Sequence, residues 1–449
     1  MGVLSSLSRE QKEAVGLLQI GTFLEYFDLM LYVHMAVLLN ELFFPKTDAH
    51  TAALLSAFAF CSTFVLRPFG ALIFGYIGDN IGRKTTVIIT TMMMSSSCVI
   101  MANLPTYAEV GITAAWIVTG CRIAQGLSSM GEIMGAQVYM TEITKPPIQY
   151  PAVSFISVAA AFGALAALGM ACLVTSVGFN WRIAFWLGAA IAVVGSIART
   201  RLRETPEFIE KINKKQLRSL NKIDEQKKQS LDLLENEKAP KKTLLAFFLI
   251  YCGWPLCFYL VYMYFNPTLK AIGYSSSQII YHNFLLAIIH VVSCLFFSIL
   301  SHKVYPLKIS KIRGYFFFFI IILLPFITNN ASNSYQIFLL QTLILLGALG
   351  DYPAVGIFIK HIPVLKRVTA TSFLYAATRA IMYIITTFSL VYLTEWFGHF
   401  GLWLITIPVT VSFFWGINHF EKLEQEKGII PKRKGKSISD IKENSKLVA

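Results

Sequence analysis

The stretch Gly75-Tyr76-Ile77-Gly78-Asp79-Asn80-Ile81-Gly82-Arg83-Lys84 separates two apolar runs, at about 51–75 and 85–104. Glycines at 75, 78 and 82 permit a tight turn. Asp79 precedes the second run, where a carboxylate is favoured near a helix N-terminus. Arg83 and Lys84 place two cations on one side of that turn. Each flanking run has the length of about 20 residues that an α-helix needs to cross a hydrocarbon core. The stretch therefore reads as the basic end of a membrane-helix hairpin.

The rest of the chain has the same character. Of 449 residues, 55% are apolar and 14% charged, against about 25% charged in an ordinary soluble domain. Mean hydropathy is +0.59. So few charges cannot solvate a soluble globule of this size, and disordered, collagenous and disulfide-rich classes are excluded with it. The net charge of +14 does not mark a nucleic-acid binder, because the basic residues occupy the gaps between apolar runs. Cys61, Cys98, Cys121, Cys172, Cys252, Cys257 and Cys294 all lie inside apolar runs, without metal-ligand spacing. The N-terminus lacks the order of a cleaved signal, so the first span is expected to remain.

A ruler of about 20 residues gives twelve expected spans, near 17–39, 51–75, 85–104, 110–140, 151–176, 182–200, 244–265, 278–300, 314–330, 335–359, 368–393 and 400–420. They are too continuously apolar for β-barrel strands. With the N-terminus inside, the outward gaps hold Lys46, Arg182 and Lys270 as their only basic residues. The inward gaps hold Arg83 and Lys84; Lys145; Lys303, Lys308, Lys311 and Arg313; and Lys360, Lys366 and Arg367. This asymmetry follows the positive-inside rule. The expected organisation is an N-terminal half (1–200), a cytoplasmic central loop (201–243), a C-terminal half (244–420) and a cytoplasmic tail (421–449).

Two six-span halves around a long loop match the plan of a major-facilitator transporter. Residues 75–84 resemble the loop signature of that superfamily through Gly75, Asp79, Gly82, Arg83 and Lys84, with Asn80 where a base is usual. Gly21-Thr22-Phe23-Leu24-Glu25-Tyr26-Phe27-Asp28, Arg67-Pro68-Phe69-Gly70, Arg122-Ile123-Ala124-Gln125-Gly126 with Gly131-Glu132, Trp181-Arg182-Ile183-Ala184-Phe185, and Arg203-Glu204-Thr205-Pro206-Glu207-Phe208 follow in order. Together they resemble the metabolite:proton symporter family, whose members carry proline and betaine, α-ketoglutarate, citrate or shikimate. The resemblance covers about residues 17–210. The second half departs: Lys360-His361-Ile362-Pro363 stands where Glu-x-Phe-Pro is usual, and Ala376 follows Tyr375 where asparagine is usual.

Ionisable groups at membrane depth mark functional sites by default. Glu25 and Asp28 share a face of the first span. In span four, Arg122, Gln125, Ser129 and Glu132 form a polar stripe about 15 Å long on a continuous helix. This stripe reads either as a proton-coupling and substrate surface or as an ion-pair network joining spans one and four. Asp351 and Arg379 are the corresponding candidates in spans ten and eleven, for substrate binding or for a structural pair. Arg67 reads as a structural residue near the cytoplasmic loop. Gly347, Gly350 and Pro353 would let span ten bend. Trp254, Tyr259, Tyr262 and Tyr264 would suit a quaternary ammonium or sit as an interfacial belt. His290 reads as a core histidine or a proton relay.

The expectation is an all-α membrane protein of twelve helices in two pseudo-symmetric halves, and not an enzyme. The resemblance implies proton-coupled uptake of a small organic metabolite, either a zwitterion such as proline or betaine or a di- or tricarboxylate. Uncoupled facilitation or exchange, and a non-transporting nutrient sensor, remain alternatives. Expected partners are the substrate, protons and the lipid bilayer, with no nucleic acid. No metal or cofactor is called for, since the proton gradient is the driving force. The expected location is the bacterial inner membrane, with both termini cytoplasmic and a monomeric chain. The absence of a Walker loop disfavours ATP-driven transport.

Overall fold

The structure is a computed structural model that describes residues 9–44, 64–80, 83–129, 132–200, 240–331, 333–363 and 367–430. Gly82, most of the central loop and the tail beyond residue 430 lie outside the described residues. The first half contains α1 (Arg9–Phe43), α2 (Arg67–Asn80), α3 (Arg83–Asn103), α4 (Ile112–Ser128), α5 (Glu132–Ile143), α6 (Gln149–Val177) and α7 (Trp181–Thr200). The second contains α8 (Lys241–Tyr251), α9 (Gly253–Tyr259), α10 (Asn266–Ala271), α11 (Ser276–Leu300), α12 (Pro306–Asn329), α13 (Ser334–Gly347), α14 (Val355–Lys360), α15 (Arg367–Ile384), α16 (Leu390–Phe397) and α17 (Trp403–Glu426). Among the described residues, five stretches are long and apolar enough to cross a membrane.

The helices differ from the apolar runs in instructive ways. Asp79 lies in the last turn of α2, which ends at Asn80, and Arg83 opens α3, with residues 81–82 outside the described residues. The helix of span nine begins at Pro306, not near 314, because proline at its first turn presets a helical φ. Arg313 therefore lies inside a helix and is buried, instead of standing in a cytoplasmic gap. In span four, α4 ends at Ser128 and α5 opens at Glu132, and residues 130–131 lie outside the described residues, so the expected stripe is described only from Arg122 to Ser129. Span ten breaks between α13 and α14, at the glycines and Pro353 that the sequence pointed to.

Within the first half, α1 packs along α6, and α3 along α7. In the second, α8 packs on α17 and α12 on α17 and α13. The halves meet along α2 with α15 and along α6 with α11. Hydrocarbon gives helices no hydrophobic drive to associate, so close packing of small residues carries the contact. A Cβ on Gly163 would lie 2.2 Å from the Phe23 carbonyl oxygen, and one on Gly70 would lie 2.2 Å from that of Leu127. Both contacts are backbone, so neither can yield by a rotamer change.

Gly163→Val is expected to separate α1 from α6. Overpacking of this kind costs about 1–3 kcal/mol or more. The thermal unfolding midpoint of the detergent-solubilised protein should fall by several degrees, and a midpoint equal to the parent's would refute the close approach.

Candidate functional site

Helix α1 presents two chemically different faces. Tyr26, Met30 and His34, spaced by four, line a cavity between the halves. Glu25, Asp28 and Tyr32 fall on the other side of the helix and are buried. The cavity and the acidic pair thus share one helix but not one compartment.

Asp28 enters the core of the first half. The Cys98 thiol on α3 donates a hydrogen bond to Asp28 Oδ1. Asp28 Oδ2 has no hydrogen-bond partner among the described residues. Arg122 on α4 acts on Asp28 through space. It donates to Gln125 Oε1 at 2.9 Å and lies 3.9 Å from the centre of the Tyr32 ring. A guanidinium stacked on an aromatic face and bonded to an amide keeps its charge in a low dielectric, where it favours an ionised neighbour. Gly188 on α7 leaves room, its absent Cβ being 3.7 Å from both Asp28 Oδ1 and Cys98 Sγ.

The cavity has a volume of about 80 Å³. At about 10–15 Å³ per water, it holds roughly half a dozen waters. Its first-half wall is largely small and apolar: Ala160, Ala161, Ala164 and Leu168 of α6. Most of its polar groups come from the second half: Asp351, Tyr352, Tyr375, Arg379 and His290, with Trp254 and Tyr262. Arg379 is buried, and its guanidinium lies 3.6 Å from the Tyr375 ring centre and 6.0 Å from that of Tyr251. Its Nη1 has no hydrogen-bond partner. Asp351 is among its electrostatic neighbours. Tyr375 Oη and Tyr26 Oη share a hydrogen bond of 2.5 Å that joins the halves across the cavity. His290 stands edge-on to Trp254 with ring centres 4.5 Å apart.

Polar contacts cluster near the starts of α12 and α15, and one of them joins the halves. Arg367 Nη1 of α15 donates to Glu142 Oε1 of α5 at 3.0 Å, and its Nε donates to the Ile362 carbonyl at 3.1 Å. The Tyr305 hydroxyl donates to Glu424 Oε2 at 2.5 Å, and His361 Nε2 lies 2.7 Å from Glu424 Oε1. Tyr305 meets Tyr150 of the first half edge-on at 6.0 Å. Gly75 of the loop motif faces Thr369 of α15, its absent Cβ being 3.9 Å from Thr369 Oγ1.

The structure thus brings Asp28, Arg122 and Gln125 together, and separately brings Asp351 and Arg379 together at the cavity. It does not join the two groups. Arg122 is not among the cavity-lining residues, so Arg122 and Arg379 do not form one clamp. Glu132 opens α5 beside the cavity-lining Ile133. Arg67 is not beside the cytoplasmic loop. It lies twelve residues before Asp79 on α2, about 18 Å away at 1.5 Å per residue, buried and 4.4 Å from the Phe64 ring centre. Sequence reading missed Glu142, Arg313 and Glu424. The first was hidden at a span's end, and the other two looked like solvated charges.

Residues 18–387 match the Major Facilitator Superfamily profile. The chain belongs to the Major Facilitator Superfamily. That is a family of membrane transporters, not of enzymes. The inner membrane metabolite transport protein YhjE of Escherichia coli K12 is 36% identical over 203 residues, which cover 43% of this chain and 46% of that protein. The proline/betaine transporter of Salmonella typhimurium LT2 is 27% identical over 210 residues, covering 45% and 42%. The chain thus matches less than half the length of these relatives. In overall fold it resembles the proton:xylose symporter XylE, with a TM-score of 0.74 at 16% identity over 92% of this chain and 95% of that one. It also resembles the human organic anion transporter MFSD10, with a TM-score of 0.67 at 13% identity over 92% and 100%.

In this major-facilitator chain, Arg367→Gln is expected to leave Glu142 buried and unneutralised. Loss of one member of a buried pair costs about 3–5 kcal/mol. The cytoplasmic ends of α5 and α15 should move apart, read as a longer spin-label distance. Adding Glu142→Gln should bring the distance back toward the parent value. An unchanged distance in the single variant would exclude the pair as a closure.

Proposed function

We propose that the protein is a proton-coupled symporter that takes up a small organic metabolite bearing a carboxylate. Arg379 carries this reading: a buried guanidinium whose Nη1 has no partner among the described residues, on the wall of a cavity between two halves. A carboxylate would supply the acceptors that the protein withholds, in the fork geometry that makes guanidinium–carboxylate bonds strong. Asp351 supports a zwitterion, because it offers a negative charge for an ammonium group in the same cavity. Trp254, Tyr262 and Tyr375 supply ring faces that suit a quaternary ammonium. Relatives that are proline/betaine transporters agree with this class. A di- or tricarboxylate is the second reading, supported by His34 and His290, which line the same cavity as further donors.

The proton is assigned to Asp28, with Arg122 setting the local field and Glu132 as the other acid candidate. Coupling would run through α1, whose one face carries Asp28 while the other lines the cavity. A change of charge at Asp28 alters how α1 sits against α3, α4 and α7, and so shifts Tyr26 and His34 at the substrate. The loop motif of Gly75, Asp79, Gly82, Arg83 and Lys84 is assigned to the rocking of the halves. The same proposal includes the two six-span halves, the 201–243 cytoplasmic loop and a bacterial inner-membrane location with both termini inside.

Uptake into proteoliposomes under an imposed pH gradient, with proline, glycine betaine, α-ketoglutarate and citrate as probes, tests the reading. Accumulation should collapse with a protonophore, which an uncoupled facilitator or exchanger would not show. Asp28→Asn should lose uphill accumulation yet keep exchange of labelled for unlabelled substrate. Arg379→Gln should lower kcat/KM by at least about 30-fold, the equivalent of about 2 kcal/mol for truncating one side of a buried charge pair. Parent-like uptake by the Arg379 variant would eliminate the carboxylate assignment.

A further inference from the structure

Arg313 is a buried arginine that the transport reading leaves without a role. It sits on α12, away from the Asp351–Arg379 pair in sequence, and does not line the cavity. Its three donor nitrogens are nevertheless all engaged, and all on span ten. Nε donates to the Leu346 carbonyl at 3.2 Å, Nη1 to the Tyr352 carbonyl at 3.0 Å, and Nη2 to the Tyr352 hydroxyl at 2.8 Å. The guanidinium also lies 4.4 Å from the Tyr352 ring centre and 4.7 Å from that of Phe297.

These acceptors lie at the end of α13 and inside the gap that follows it. Leu346 belongs to the last turn of α13, whose carbonyls have no helical donor and form the negative end of the helix dipole. Tyr352 lies within the unwound stretch that precedes α14. One guanidinium therefore ties that stretch to the end of α13. Two further groups hold the same stretch: Cys257 Sγ accepts from the Leu349 amide at 3.3 Å, and Ser154 of the first half approaches the Pro353 carbonyl at 3.3 Å. Between the two anchors of Arg313 stands Asp351, and both Asp351 and Tyr352 line the cavity.

We propose that Arg313 is a positioning residue of the substrate cavity: it fixes the unwound stretch 348–354 so that Asp351 and Tyr352 stay on the cavity wall beside Arg379. The planar fork is essential to that task, since it must satisfy two carbonyls and a hydroxyl at fixed mutual angles. An ammonium is a point charge on a flexible stem and cannot do so. Arg313 thus governs how well the cavity binds, while the charge that binds belongs to Asp351.

Two measurements test this, the first independent of any substrate. Hydrogen–deuterium exchange of the solubilised full chain should show faster exchange across 346–354 in Arg313→Lys and Arg313→Gln. Exchange in α15 and α17 should match the parent. Tyr352→Phe, which removes one of the three bonds, should give a smaller change in the same stretch. Equal exchange across 346–354 in parent and Arg313→Gln would overturn the proposal.

The second measurement rests on the transport reading and uses whichever of proline, glycine betaine, α-ketoglutarate and citrate the parent carries. Arg313→Lys should raise KM about tenfold, with maximal rate and membrane abundance within about twofold of the parent. In an Asp351→Asn background, the same change should leave KM within about twofold, because its effect passes through that stretch. A fall in maximal rate at constant KM would mark Arg313 as merely structural, and additive effects in the double variant would also overturn the proposal. If the parent carries none of the four probes, the transport reading fails, and the exchange experiment alone then decides the position of 348–354.

Discussion

A charge buried in hydrocarbon must be answered locally, by a counter-charge, an aromatic face or a set of hydrogen bonds, because water is not there to answer it. The interior of this protein is organised by that constraint. Arg313 is answered by carbonyls, a hydroxyl and two rings. Arg122 is answered by Gln125 and Tyr32. Arg367 is answered by Glu142 and a carbonyl. Arg379 has rings as its main neighbours, and its Nη1 has no acceptor among the described residues. Arg67 Nε and Nη2 lack acceptors there too, so what sets Arg379 apart is its place on the cavity wall.

The backbone obeys the same rule. Unwinding a helix inside a membrane strands carbonyls and amides, and such breaks are tolerated only where other groups take them up. Span ten breaks beside the cavity, and Arg313 and Cys257 take up the freed groups. Span seven contains a π-helical turn at Leu260–Tyr264, and the Val261 carbonyl it frees accepts from Gln341 of span ten. His282 then bonds Gln341. Both irregular segments contribute cavity residues, Asp351 and Tyr352 from one and Tyr262 from the other. Local departures from the regular helix thus cluster where side chains must point into a shared space, and each has its own support from a neighbouring helix.

Much of the architecture was legible in the sequence, because spans obey a length rule and loops obey a charge rule. Both act on single segments and need no knowledge of packing. The glycines and Pro353 of span ten also announced a break locally. The misplacements came from reading every charge near the end of an apolar run as solvated. Arg313 lies beyond an apolar run but inside a helix, and only tertiary packing shows that its partners sit 33 and 39 residues away. Arg67 differs for the opposite reason: sequence proximity to the loop motif suggested a place beside it, whereas twelve residues of helix separate it from Asp79. The stripe of span four assumed an unbroken helix, and residues 130–131, just before Glu132, lie outside the described residues. Pairings between distant segments, such as Glu142 with Arg367, leave no local trace at all.

The division of labour between the halves follows from these placements. The motifs that resemble metabolite:proton symporters lie in the first half, and there the buried acid Asp28 sits among Cys98, Arg122 and Gln125, away from the cavity. The same half lines the cavity mainly with small and apolar side chains and adds Tyr26, His34 and Ser157. Most of the groups able to distinguish one solute from another come from the second half, where the sequence departs from the family pattern. A chain can therefore keep its coupling chemistry while its recognition chemistry drifts, because the two sit on opposite faces of α1 and on different helices beyond it. Similarity concentrated in the first half speaks to how such a protein is driven. The proposed recognition groups, Asp351, Arg379 and the aromatic residues around them, lie outside the region of that similarity.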